Sequence, residues 1–233
     1  MTPSTGRRGD PGTELAARPG RLSPAGAGAV AAVVLAFSAT GYISGVLVSP
    51  LSRSRMFPWV VARSTGIGAF VALGAVVFLG VRFRRPSRRR PGRHRQTLLQ
   101  FHSALVPALL VLVAAHVGSL LADRYSGVTW AALALPGAAS YRPAAVAYGT
   151  LALYLLVVVG GSAALAGRVV VRSRWAALHR LAYPAFWLVW LHGVLAGSDT
   201  SSLRLVYVVV GLAVCVAALP VLIRDRTPAG ASR

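Results

Sequence analysis

The chain has 233 residues, 55% of them hydrophobic, with a mean hydropathy of +0.63, which exceeds ordinary soluble domains and matches an integral membrane protein. Its 25 basic residues face only 5 acidic ones, but all are Arg and most fall between apolar runs, so they read as topology signals rather than a nucleic-acid footprint. The single cysteine, Cys215, excludes a disulfide framework and a metal–cysteine cluster, and reads as a small side chain in the membrane.

Residues 1–27 are rich in Pro, Gly, Ser and Arg and lack apolar periodicity, the composition of a disordered tail. Arg7 and Arg8 imitate a twin-arginine export signal, but the run from Gly28 is long enough to span and shows no clear cleavage site. It is therefore read as a first transmembrane helix. A hydrocarbon core about 30 Å thick needs about 20 residues per helix, and six such spans are expected: 28–48, 58–81, 97–121, 144–167, 175–196 and 204–223. The expected fold is an all-α integral membrane protein, a six-transmembrane-helix bundle over 28–223 followed by a short tail, 224–233. No aqueous domain remains.

With the N-terminus inside, cytoplasmic segments hold Arg7, Arg8, Arg18 and Arg21, the eight arginines from Arg82 to Arg95, then Arg168, Arg172 and Arg174, and finally Arg224, Arg226 and Arg233. The opposite face keeps Arg53, Arg55, Arg124, Arg142 and Arg204. The positive-inside rule thus puts both termini in the cytoplasm of a cell membrane, plasma or inner.

Ionisable side chains inside membrane spans are costly and mark functional sites. Four histidines lie in such positions as two matched pairs: His102 and His116 in the third span, His179 and His192 in the fifth. Both spans run outward, so His102 and His179 share an inner depth and His116 and His192 an outer one. At 1.5 Å rise per residue the separations are about 21 and 20 Å, room for one planar macrocycle clamped at each level. Fourteen residues leave His102 and His116 about 40° apart on one face, whereas thirteen leave His179 and His192 about 140° apart in a straight helix. Pro184 supplies a kink that relaxes this phase. Met56 is the only methionine besides the initiator and lies near a helix end, so bis-histidine ligation of two stacked hemes is the expected chemistry. The bland alternative is that each histidine only hydrogen-bonds a neighbouring helix.

His94, between Arg93 and Arg95, reads as a solvated loop residue. Arg63, one turn inside the second span, either meets an outer heme propionate or snorkels to headgroups, and Arg180 poses the same pair of readings at the inner heme. Asp199 either helps receive an acceptor or caps the short outer loop.

Three stretches, Trp59–Ala69 (WVVARSTGIGA), Gln100–His116 and Trp175–Thr200 (WAALHRLAYPAFWLVWLHGVLAGSDT), resemble the ferric reductase-like transmembrane domain family, shared by ferric reductases and NADPH oxidases. The resemblance covers about 58–200 and points to the bacterial MsrQ/YedZ branch of heme-binding membrane subunits. It implies b-type heme, one or two, on His102, His116, His179 and His192. The oxidase and reductase members append a cytosolic flavin and nicotinamide domain. None is expected here after Arg233, so FAD or FMN enters only through a partner.

The function expected is transmembrane electron transfer, from a cytoplasmic flavin reductase or quinol to an outer-face acceptor such as a periplasmic reductase. The chain supplies position and potential rather than catalytic side chains. The arginine loop either docks an acidic donor or anionic lipid, or anchors the topology. One alternative is a non-catalytic membrane anchor or assembly subunit. A histidine-lined proton or metal transporter is the weaker one, because no Asp or Glu lies inside any span.

Overall fold

A computed structural model describes residues 56–82, 93–166, 169–198 and 200–226. The expected tail, the span 28–48 and the arginines of 84–90 lie outside these residues. The described residues form seven α-helices: α1 (Phe57–Arg82), α2 (Arg93–Ala122), α3 (Trp130–Ala134), α4 (Pro143–Ala164), α5 (Arg172–His179), α6 (Ala182–Ala196) and α7 (Thr200–Arg226). Among them there is no strand, only an isolated bridge between Ala166 and Val170. Four segments, Phe57–Arg82, Arg95–Ala122, Pro143–Ala164 and Thr200–Leu219, are long and apolar enough to cross a membrane.

Proline marks the helix starts. Pro58 and Pro143 occupy first-turn positions of α1 and α4, where a missing N–H leaves no bond unmade. Pro107, by contrast, lies inside α2. Each long helix agrees with its expected span to within four residues.

The exception is the expected span 175–196, which is not one helix but two. Its interruption falls at Arg180 and Leu181, short of the kink expected at Pro184. The proline is still the cause. Having no N–H, it cannot satisfy the Arg180 carbonyl four residues back, which instead accepts from the Tyr183 N–H at 3.1 Å. The N–H groups of Arg180 and Leu181 likewise bond three residues back, to Ala177 and Leu178. Tight turns of this kind overwind the chain and re-aim the helix beyond them, and they lie between His179 and His192.

α1 is the central helix. It packs against α2, α6 and α7, while α4 packs against α6, α5 and α3, so the bundle is two helical hairpins, α1–α2 and α4–α6, joined through α1 and α6. The core between them is Phe70, Leu73 and Val77 of α1, Leu109 of α2, Phe186 of α6, and Tyr207 and Val214 of α7. Phe186 is fully buried, stacked on Phe70 at 6.0 Å between ring centroids and edge-on to Trp187 at 5.1 Å. The outward sides of α2 and α7 carry exposed Leu110, Val111, Leu205, Leu212 and Val216, the surface a bilayer solvates. Cys215 is exposed on that side of α7.

The segment 123–142 is ordered by polar side chains. Asp123 is buried and its carboxylate accepts from the Tyr125 N–H at 2.9 Å. Val128, Ala132 and Ala139 form a small second core, and the Thr150 hydroxyl fixes α3 by donating to the Ala132 carbonyl. Arg142, at φ 42°, donates to the Leu195 carbonyl at 2.6 Å, closing one of the open carbonyls at the end of α6. A charged donor of this kind contributes about 1.5 kcal/mol where exposed. Arg142→Leu is therefore expected to speed hydrogen exchange in 123–142 without changing the helix content.

Candidate functional site

The four histidines singled out in the sequence meet in two pairs. His102 on α2 faces His179 at the end of α5, with ring centroids 6.1 Å apart. His116 on α2 faces His192 on α6 at 6.2 Å. The pairing is the one expected from depth alone. The helix break between His179 and His192 is what lets both rings turn towards α2 despite their thirteen-residue spacing.

The rings are fixed from behind. Nδ1 of His116 lies 2.7 Å from the Ala62 carbonyl, Nδ1 of His102 lies 2.9 Å from that of Val76, and Nδ1 of His192 lies 2.9 Å from that of Ala145. A carbonyl only accepts, so Nδ1 carries the hydrogen in each ring, and a neutral ring then keeps its lone pair on Nε2. This arrangement orients metal-ligating histidines and raises their basicity. His179 differs. Its Nδ1 is buried without a partner among the described residues, and its ring stacks on Trp175, one turn earlier, at 5.2 Å and 28°.

The separation of the facing rings has a chemical meaning. Two histidine–metal bonds of about 2 Å each, plus about 1.1 Å from each nitrogen to its ring centre, place the centres about 6 Å apart. Aromatic rings packed edge to face without a metal span about 4.5–7 Å between centres as well, so the spacing admits a metal without demanding one. Among the described residues no group of three or more His, Cys, Asp or Glu converges as a metal cluster; each pair offers two imidazole rings.

A cavity of about 430 Å³ opens at the His116–His192 pair, lined also by Gly66, Gly149, Arg63 and Tyr207 among mostly apolar side chains. Its size is that of a cofactor site. Arg63 reaches this cavity, with its guanidinium 4.5 Å above the Trp59 ring and hydrogen-bonded to the Ser198 hydroxyl. Arg180 is exposed at the α5–α6 break, next to His179 in sequence. Asp199 and the His94 side chain lie outside the described residues.

Sequence reasoning missed the carbonyls that hold the rings, and the Trp175 stack. The latter was open to view as an aromatic four residues before His179, the spacing that stacks side chains on a helix.

Among the described residues, fold and site together define an all-helical protein with four membrane-length apolar helices and two facing histidine pairs. Comparison with protein-family models, curated proteins and solved structures finds no match to this chain.

Proposed function

We propose that the chain is a b-type heme electron-transfer protein of the membrane, similar to the ferric reductase-like domains. In this reading it passes electrons from a cytoplasmic flavin donor or quinol to an acceptor on the outer face. The observation that carries the proposal is the pair of 6.1 and 6.2 Å histidine gaps at two levels of one apolar bundle. The cavity at the outer pair fits a bound group better than a bundle whose histidines merely cross-link helices.

His102 with His179, and His116 with His192, would hold the two groups through Nε2. A heme so held supplies one-electron reduction and reoxidation at its iron. The protein's part is to place and insulate. Ala62, Val76 and Ala145 fix three rings through their carbonyls. The core around Phe70, Leu73 and Phe186 keeps water from the space between the levels. Arg63 brings a cation to the outer cavity, where it suits a propionate. Fourteen residues of α2 separate the levels by about 21 Å, so the two sites together reach across most of the hydrocarbon core. With 28–48 as the first span, α5 and α6 as a broken fifth, and both termini cytoplasmic, the inner pair faces the arginine-rich side.

Proteoliposomes test the proposal. Ferricyanide trapped inside is reduced by external dithionite, one electron per ferricyanide, much faster in vesicles holding the heme-loaded protein than in empty ones. Equal rates in the two would reject electron conduction.

A further inference from the structure

We propose that Gly66, Gly80 and Gly149 are positioning residues for three of the four axial histidines, each admitting an imidazole to the carbonyl four residues before it. The inference rests on the heme reading above and adds the residues that set ring depth and orientation.

Three coincidences carry it. The His116 ring lies against Gly66 and bonds the carbonyl of Ala62. The His102 ring lies against Gly80 and bonds that of Val76. The His192 ring lies against Gly149 and bonds that of Ala145. In every case the glycine stands four residues after the accepting carbonyl. The geometry has a simple cause: a helical side chain leans towards the N-terminus and covers the turn before its own Cα, so a Cβ at the glycine would lie over that carbonyl. A carbonyl has two lone pairs, and with the Cβ gone the second is open to a ring from the neighbouring helix.

The intrusions are graded. A Cβ at Gly66 would lie 2.8 Å from His116 Nδ1 and Cε1, and one at Gly149 would lie 2.8 Å from His192 Nδ1. At Gly80 the nearest His102 atom would be 3.4 Å away. The fourth histidine marks the same rule by its exception. Counting thirteen residues on from Gly149, as His179 precedes His192 by thirteen, reaches Ser162. Ser162 is buried, its hydroxyl donates to the Val159 carbonyl, and His179 Nδ1 finds no acceptor among the described residues. The outer pair is therefore anchored on both sides and the inner pair on one.

The test uses the full-length, heme-loaded protein, with heme content and the low-spin ferric EPR signals as readouts. G66A and G149A are each expected to abolish the outer heme's low-spin signal and leave the inner one. G80A is expected to shift the inner signal without abolishing it. G74A is the structural control. Its Cβ would collide with Val210 Cγ1, away from any histidine, so it lowers thermal stability and leaves both signals in place. Wild-type signals in G66A and G149A would overturn the inference, as would loss of the outer signal in G74A. Should G66A fail to accumulate, G149A and G80A decide the matter on separate helices. A wild-type protein that takes up no heme rejects the functional proposal itself, a result distinct from all of these.

Discussion

His192→Ala is expected to halve the heme of the purified protein, from about two per chain to about one, and to stop electron transfer to the outer face. The remaining ring, His116, keeps its bond to the Ala62 carbonyl but then faces a void where a second axial nitrogen stood. His116→Ala is expected to match it, and the double variant to lose no more than either single one, because the two residues serve one site and their effects do not add. Combining His192→Ala with His102→Ala removes both sites. His94→Ala changes nothing. Pyridine-hemochrome quantification decides: two hemes retained in His192→Ala would break the assignment of the outer pair.

Phe186→Ala is expected to cause the largest loss of stability of any single core substitution. Phe186 is fully buried and joins α6 to α1 through Phe70. In a water-soluble core such a truncation costs about 3–5 kcal/mol, part transfer and part cavity. Lipid tails are as apolar as the core, so the transfer part falls away in a bilayer and packing remains. About 2–3 kcal/mol is the expected loss, with Phe186→Leu recovering most of it. Reversible unfolding in mixed detergent measures the difference. A near-neutral Phe186→Ala would show that α6 is not held through this contact.

Much of this was legible because a bilayer makes polarity conspicuous. Four histidines in apolar runs stand out, and the expected parallel run of the third and fifth spans together with the 1.5 Å helical rise matched His102 with His179 and His116 with His192. What local sequence obscured were the details of backbone hydrogen bonding. Pro184 signalled a disturbance in 175–196, but its missing N–H is felt at the carbonyl four residues earlier, so the chain breaks at Arg180 and Leu181. The five-residue α3 escaped notice because WAALA, between Gly127 and Gly137, is too short for periodicity to register. Gly66 and Gly80 are fourteen residues apart, as are His102 and His116. That echo was visible, but glycine is common in membrane helices, and only the packed structure shows which carbonyl each one uncovers. Arg63 was singled out beside the His116–His192 level and lines the cavity there, yet its contacts with Trp59 and Ser198 depend on tertiary packing that no local pattern contains.

Whether the two facing pairs hold heme is tested most directly by a dithionite-minus-oxidised difference spectrum of the purified wild-type protein with its pyridine hemochrome. The expected result is a b-type spectrum with about two hemes per chain and low-spin, six-coordinate iron. Protein expressed with ample heme that still shows no b-type absorbance would contradict it and leave the histidines as cross-links between helices.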